Sequence, residues 1–139
     1  MGYKFEKLDV WKQALEYSDA IYSVARALPS EEQYNLRSQS QRAVTSIALN
    51  IAEGSIGQSD MEQAKFLGYA IRSLVETVAC LHLIHRRKYS VSAEALRSAY
   101  QQSESLFRSL CAMRNTLTLE ARRVAEEAQE YLTDDQPPF

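Results

Sequence analysis

Two histidines and three basic residues stand together in the middle of the chain and are the first candidates for chemistry. His82 and His85 are three residues apart, and Arg86, Arg87 and Lys88 follow directly. On a helix the two imidazoles would lie one turn apart, where they could bind a transition metal, but no carboxylate accompanies them. The five residues could instead contact RNA or DNA phosphates without reading a base sequence. The alternative is that they only complement the dipole of a helix end and keep it solvated.

A second set of polar residues interrupts the apolar stretch RAVTSIALNIAEGS, residues 42–55. Placed at 100° intervals around a helix axis, these polar residues fall within an arc of roughly 80°, while the apolar ones fill about half the circumference. We call them the polar seam: Gln39, Arg42, Ser46, Asn50 and Glu53. The seam either faces water or ties the helix to its neighbour through Arg42 and Glu53, or it lines a subunit contact beside Leu49, or it takes a ligand.

Other catalytic or cofactor motifs are missing from the sequence. It contains no Glu-x-x-His pair for a di-metal bundle, no phosphate-binding glycine loop, no nucleophile elbow and no HExxH. Cys80 and Cys111 are isolated on apolar stretches, which favours a reduced compartment and two thiols that fill the core. We therefore predict a protein that is not an enzyme and binds no cofactor or metal.

Length and charge indicate one domain of modest polarity. The chain has 139 residues, four glycines, three prolines and a net charge of −2. Residues 1–116 hold 14 Lys and Arg against 12 Asp and Glu, whereas residues 117–139 hold 2 against 6. A slightly basic body with an acidic C-terminal region is only weakly typical of polyanion binding. No apolar run approaches the roughly 18 residues of a membrane span, so we predict a cytoplasmic protein with no membrane contact.

Capping residues and apolar stripes divide the chain into four long helices. The first spans about residues 10–28. Ser30 begins the second with a capping box, and Ser59 begins the third with another. We expect Gly54, directly after the second helix, to take the left-handed conformation that often ends a helix.

The fourth helix is the longest expected from the sequence. Ser92 is expected to cap it, and its apolar stripe starts after Ser92 and keeps its phase to Tyr131, which predicts a helix of nearly 60 Å at about 1.5 Å per residue. The part beyond Asn115 would project past its own bundle, and we expect it to pack between subunits. The alternative is a break near the sequence NTLT, with Thr118 capping a short helix that folds back on the same chain.

Short connections between long helices make sequential neighbours antiparallel. The predicted fold is therefore all-α: an antiparallel up-down-up-down four-helix bundle with a long C-terminal helix. The expected divisions are the bundle at 1–116, an extension of helix four at 117–132 and a flexible acidic tail at 133–139.

Three segments carry a resemblance to a known family. They read FEKLDVW, then QYNLRSQSQRAVTSIALNIAEG, then FLGYAIRSLVET. Over about residues 3–115 the chain resembles the bacterial family called four helix bundle protein, also known as the 23S ribosomal RNA intervening-sequence protein. The family pattern maps onto Leu8, Trp11, Leu36, Gln39, Arg42, Ser46, Asn50, Ile51, Ala52, Glu53, Gly54, Ser73, Leu74 and Glu76.

This resemblance implies a bundle fold, a homopentamer and, for most members, no assigned activity. A related branch is the accessory protein of diversity-generating retroelements, a pentameric barrel that works with a reverse transcriptase and nucleic acid. The chain departs from its relatives at Ala48, where many have proline, and at Arg72, where glycine is favoured. Its near-neutral charge also differs from the markedly basic retroelement branch.

The residues and the resemblance together predict a non-enzymatic, homo-oligomeric scaffold or adaptor. The resemblance implies that the oligomer is a pentamer. Its expected partners are further copies of itself and a protein such as a reverse transcriptase in a nucleic-acid-processing system. The alternative is a direct, sequence-indifferent RNA- or DNA-binding protein that uses the basic helix ends, repeated around one rim of the ring.

Overall fold

Four α-helices build the structure, as the apolar stripes predict. The computed structural model describes residues 1–57, 59–117, 131–132 and 136–139. The helices are α1 (Asp9–Arg26), α2 (Ser38–Gly54), α3 (Asp60–Arg86) and α4 (Ala93–Asn115). Each helix packs against the next along the chain, and α4 packs back against α1. The predicted all-α four-helix bundle is therefore confirmed.

Side-chain contacts give the relative direction of α2 and α3. The Ser73 hydroxyl of α3 donates to the Ser46 hydroxyl of α2 at 2.9 Å. At the end of α2, Gly54 lies so close to Phe66 that a Cβ atom on the glycine would be 2.8 Å from the Phe66 Cβ. Residue numbers therefore fall along α3 as they rise along α2, which is the antiparallel arrangement expected from a short connection.

Two of the predicted helix starts are capped by serine. The Ser59 hydroxyl accepts a hydrogen bond from the Glu62 N–H at 3.1 Å, and the Ser92 hydroxyl accepts one from the Ala95 N–H at 3.0 Å. Each bond satisfies a backbone donor that the first turn of a helix leaves without an intrahelical partner. The caps predicted for the third and fourth helices are confirmed.

The second helix begins differently from the prediction. A 3₁₀ turn (Ser30–Glu32) and a π turn (Gln33–Arg37) precede α2, and Ser30 makes no side-chain cap. The predicted capping box is therefore wrong. Arg37 offers a physical reason, because its Nε donates to the Ala25 carbonyl at 3.0 Å and so ties this irregular segment to the end of α1.

Gly54 serves packing and does not supply a left-handed turn. It is the last residue of α2, and Ser55 after it has φ −77°. The left-handed conformation occurs three residues later at Gly57, with φ +82°. The prediction for Gly54 is wrong because the missing side chain is required by the close approach of Phe66.

Helix α4 ends at Asn115, so the continuous helix expected to reach Tyr131 is interrupted. The N–H of Thr116 bonds the Met113 carbonyl at 3.2 Å, and the Thr116 hydroxyl bonds the same carbonyl at 2.7 Å. A threonine that binds a carbonyl three residues back competes with the helical pattern. Residues 118–130 of the expected extension lie outside the described residues, and the division of the chain at residue 116 stays a prediction.

The core contains one polar pair that the apolar stripes do not reveal. Tyr17 of α1 is fully buried, and its hydroxyl lies 2.6 Å from the Thr77 hydroxyl of α3. Because the Thr77 hydroxyl donates to the Leu74 carbonyl at 2.6 Å, Tyr17 donates to Thr77. Both polar groups are thereby satisfied inside the bundle.

Candidate functional site

The five residues of the polar seam on α2 differ in their exposure to solvent. Gln39, Arg42 and Glu53 are exposed, whereas Ser46 and Asn50 are half-buried. The exposed residues point away from the core and the half-buried ones lie at the edge facing α3. The seam therefore offers charge to the surroundings and hydrogen bonds to its neighbour.

Ser46 is the residue that ties α2 to α3. It accepts from Ser73 at 2.9 Å and from the Asn50 amide at 3.1 Å, and Asn50 also donates to the Ser46 carbonyl at 2.8 Å. This small network explains why an asparagine belongs in an otherwise apolar helix, since its amide group is satisfied at the helix boundary. Of the alternatives given for the seam, a tie to the neighbouring helix is made by Ser46, whereas Arg42 and Glu53 are exposed.

The charges at the two ends of the seam are not paired with each other. Arg42 and Glu53 are eleven residues apart on one helix, which is about 16 Å along its axis. Within the described part of the chain the one ion pair is Glu104 with Arg108 at 3.9 Å. Arg42 and Glu53 therefore remain available to a second molecule.

An open groove follows the exposed side of α2; we call it the α2 groove, and its volume is 730 Å³. It is lined by Tyr22, Gln33, Tyr34, Arg37, Ser38, Gln41, Arg42, Thr45, Ser46, Leu49, Asn50 and Glu53. Leu49 is 55% exposed and Tyr34 is 90% exposed. Apolar surface thus lies between the charged ends of the seam, as in the centre and rim of a protein interface.

The basic residues lie at the far end of α3, as predicted. His82, His85, Arg86, Arg87 and Lys88 are all exposed. The helix ends at Arg86, and Lys88 has a left-handed backbone with φ 55°, which turns the chain towards α4. Their charges face solvent at the negative end of the helix dipole, so both the binding interpretation and the dipole interpretation fit this placement.

An aromatic cluster at this helix end was not predicted from the sequence. The Phe139 ring lies against two imidazoles, with centroids 5.4 Å from His82 and 4.9 Å from His85. It also meets Tyr100 of α4 edge-on at 5.5 Å. Sequence periodicity cannot reveal a contact between residues more than fifty positions apart, so no local signal could have found it.

A second groove runs between α3 and α4 and has a volume of 510 Å³; we call it the α3–α4 groove. Its lining is largely apolar and includes residues from near the C-terminus. The lining residues are Leu74, Val75, Val78, Ala79, His82, Tyr100, Ser103, Glu104, Phe107, Tyr131, Leu132 and Gln136. The Tyr131 ring stacks on Phe107 with centroids 6.2 Å apart. Here the chain fills part of its own groove.

The pKa shifts of the buried side chains do not indicate a nucleophile or a general base. Burial raises the pKa of Cys80 and of Cys111 to about 11, and both thiols are free. Burial also raises the pKa of Tyr17 well above its ordinary value. Shifts of this sign favour neutral groups, whereas a reactive thiol requires a lowered pKa. Both cysteines fill the core, as predicted.

No metal-binding cluster is found among the residues that the structure describes. A group of three or more His, Cys, Asp and Glu side chains suited to a metal does not occur there. In that part of the molecule the histidine pair therefore lacks the third ligand that such a group would supply. Nothing in the described geometry indicates enzymatic activity.

Helix α3 is long and apolar enough, by length and composition, to cross a membrane. An 18-residue window within it has a mean hydropathy of 1.4. No such span was expected from the sequence, and by length and composition alone that expectation does not hold for this helix. Leu67 and Leu74 of this helix are buried in the bundle, and the core helix of a soluble protein passes the same test.

Comparison with known proteins relates this bundle to one family. Residues 6–112 match the family described as 23S rRNA-intervening sequence protein. A similar solved structure is a protein with unknown function from the S23 ribosomal protein family of Bacteroides thetaiotaomicron VPI-5482. The two sequences are 25% identical, and the match covers 76% of the present chain and 94% of the Bacteroides chain. The two folds superpose with a TM-score of 0.68. No curated protein matches the chain. Because the matched region is well over half of the sequence and the folds agree, the chain belongs to the 23S rRNA-intervening sequence protein family.

Proposed function

We propose that the protein is a non-enzymatic homo-oligomeric scaffold or adaptor, a pentamer, which binds a protein partner in a nucleic-acid-processing system. The observation that carries this proposal is the α2 groove. Its exposed Leu49 lies between the unpaired charges of Arg42 and Glu53, and its exposed Tyr34 lies beyond Arg42, on the turn before α2. A surface of this composition buries apolar area at its centre and directs its partner by charge at its rim.

A closed ring of five requires a heterologous contact, in which one face of a subunit meets a different face of the next. The α2 groove supplies one of these faces. Its charges of opposite sign, at two ends of one helix, give the contact a direction, because a neighbour in the reverse orientation would meet like charge. We take the number of subunits, five, from the family resemblance. We propose an adaptor role because the α2 groove offers contacts to a partner but contains no catalytic group.

A substitution at the centre of the groove tests this assignment. Leu49→Glu places a charge in the apolar middle of the proposed contact, where burial of an unpaired carboxylate is costly. Leu15→Glu is the matched control, because Leu15 is 44% exposed on α1 and Leu49 is 55% exposed on α2. We expect the parent and Leu15→Glu to sediment as the same oligomer and Leu49→Glu to dissociate. A monomeric parent at tens of micromolar concentration would contradict the proposal.

A second candidate function is the direct binding of RNA or DNA by the basic helix end. The exposure of His85, Arg86, Arg87 and Lys88 at one end of α3 favours it, since phosphate contacts require accessible cations. The family description, which refers to a 23S rRNA intervening sequence, is consistent with a nucleic-acid setting. In a ring, each subunit would add one weak site to the same rim, and several weak sites acting together bind strongly.

The salt dependence of binding separates the two functions. A direct binder releases counterions, so the logarithm of its affinity falls steeply with the logarithm of the salt concentration. A scaffold that contacts only a protein shows no binding to a generic oligonucleotide at any salt concentration.

A further inference from the structure

The aromatic cluster at the end of α3 forms a cradle for one flat ring. The Phe139 ring lies at 35° to the His85 ring with centroids 4.9 Å apart, which is a tilted stacking contact. His82 and Tyr100 meet the same ring edge-on, at interplanar angles of 75° and 78°. The Phe139 ring is therefore held by one stacked neighbour and two perpendicular ones. These contacts require only an aromatic ring, so another aromatic ring could take the place of Phe139. We call His82, His85 and Tyr100 the aromatic cradle.

The backbone of Phe139 is held as well as its ring. Arg97 of α4 donates from Nε to a main-chain oxygen of Phe139 at 3.2 Å. Arg97 is exposed, so it can offer the same donor to another oxygen acceptor when Phe139 leaves. The occupant of the cradle is thus an aromatic ring linked to an oxygen that an arginine binds.

The surroundings of the cradle are cationic. Arg86, Arg87 and Lys88 follow His85 directly, and Arg97 stands on the facing helix. Glu104 of α4 lines the α3–α4 groove together with His82 and Tyr100, and its carboxylate lies 3.9 Å from Arg108, which offsets its charge. An aromatic guest that carries negative charge is therefore favoured over a neutral one.

We infer that the aromatic cradle binds one unpaired base of single-stranded RNA or DNA, and that Phe139 occupies the same place as an intramolecular competitor. This inference rests on the second candidate function. A base would stack on His85 as Phe139 does, and Arg97 with the three basic residues of α3 would contact the phosphates on either side. Proteins that bind single strands without sequence preference combine these two elements, stacking rings and a positive track.

Competition by Phe139 weakens the site in a defined way. The apparent affinity for a strand is the intrinsic affinity multiplied by the fraction of molecules in which the cradle is open. Removing the Phe139 ring raises that fraction and leaves the cradle residues in place. The inference thus predicts a variant that binds more tightly than the parent, which a patch of basic residues alone does not predict.

Fluorescence anisotropy with labelled fifteen-nucleotide oligo(U) and oligo(dT) tests the inference on the full chain. We expect Phe139→Ala to bind about fivefold more tightly than the parent, the shift for a cradle that is about four-fifths closed. Adding His85→Ala to this variant removes the stacking face, and we expect at least about a fivefold loss of affinity. His85 is exposed, so this change leaves the fold intact, which circular dichroism verifies.

Tyr69→Ala in the same Phe139→Ala background is the matched control. Tyr69 is an aromatic residue of α3 that is 40% exposed, and it packs on Phe66 near the opposite end of the helix. We expect no change of affinity from it. Similar gains with oligo(U) and oligo(dT) fit a site that reads only a ring and a charge, and a gain with one of them assigns the strand.

Two results would overturn the inference, and they can be told apart. If the parent binds in a salt-dependent manner but Phe139→Ala and His85→Ala change nothing, the basic helix end binds strands and the cradle does not. If neither the parent nor Phe139→Ala binds either strand at low salt, the nucleic-acid function itself fails and the cradle fails with it.

Discussion

The two grooves of the bundle differ in what occupies them. The α3–α4 groove is lined mainly by aliphatic and aromatic residues together with His82 and Glu104, and Tyr131, Leu132 and Gln136 of the same chain form part of its wall. The α2 groove combines apolar and charged residues, and its lining comes from α1, α2 and the connection between them. An apolar groove is closed most readily by the chain's own segment, whereas a groove with unpaired charges at both ends suits a second molecule. Self-packing is seen on one side of the molecule, and the other side is the one that we propose for assembly.

The packing of α3 against its two neighbours also differs. Helix α3 meets α2 through Gly54, where the nearest atom to an added Cβ would be the Phe66 Cβ. It meets α4 through Gly68, where the nearest atom would be the guanidinium carbon of Arg114, at 3.2 Å. A Cβ atom is fixed to its backbone, while a guanidinium group can move away. The α2 side is therefore the more rigid one.

The largest effect is expected from Gly54→Ala. The new methyl group would lie 2.8 Å from the Phe66 Cβ, so α2 and α3 must separate, and overpacking of this kind costs about 1–3 kcal/mol of unfolding free energy. Gly68→Ala is the control, because Arg114 can yield and alanine favours a helix by up to about 1 kcal/mol. Urea denaturation of both variants makes the measurement. Equal losses in the two would show that the sides of α3 do not differ in rigidity.

Local signals in the sequence explain which parts of the fold could be predicted. Ser59 and Ser92 cap their helices because a serine before an apolar stripe acts within three residues, and such short-range chemistry can be read from the chain. A break near the sequence NTLT was one of two alternatives, and the pattern could not decide between them, because the apolar stripe after Thr116 keeps the helical phase whether or not the helix continues. Periodicity reports a preferred conformation and does not report a break within it.

In the candidate sites, too, features within one helix could be predicted from the sequence and contacts between helices could not. The arc of polar residues on α2 was visible because all five members belong to one helix. Their hydrogen-bond partner Ser73 was not visible as such, since it lies on another helix. The contact of Phe139 with His85 was hidden for the same reason. Sequence patterns locate residues on an element, and the tertiary structure decides what each one meets.

A smaller effect is expected from the hydrogen bond beneath the seam. Ser46→Ala and Ser73→Ala each remove one partner of the 2.9 Å bond between α2 and α3, and each should cost about 0.5–1.5 kcal/mol of unfolding free energy. The double variant should lose less than the sum, because both changes remove the same bond. Ser98→Ala is the control, since its hydroxyl accepts only from Gln102 at an exposed position. Strict additivity of the two losses would show that the bond contributes nothing.

The smallest effect on folding is expected from the charges of the seam. Arg42 and Glu53 are exposed, and neither forms an ion pair with another described residue. Arg42→Ala and Glu53→Ala should each change the unfolding free energy of the subunit by less than about 0.5 kcal/mol. If the α2 groove is a subunit contact, the same changes weaken the assembly, because an unpaired charge then remains in the interface. Urea denaturation and a sedimentation dilution series on each variant separate the two quantities.

Charge reversal sharpens this last prediction. The two residues lie too far apart on one helix to pair within a subunit, and both line the α2 groove, so in a head-to-tail ring each needs a partner of opposite sign on a different face of the neighbouring subunit. Arg42→Glu places its carboxylate against the negative group that Arg42 meets there, and we expect it to dissociate the ring. Adding Glu53→Arg to that variant should not restore the ring, because the partner face keeps its own charges. Rescue by the double variant would show that two α2 grooves face each other, which is an isologous contact and gives a dimer. If neither change affects the oligomer, the assembly rests on other faces of the bundle and the α2 groove is solvent-facing.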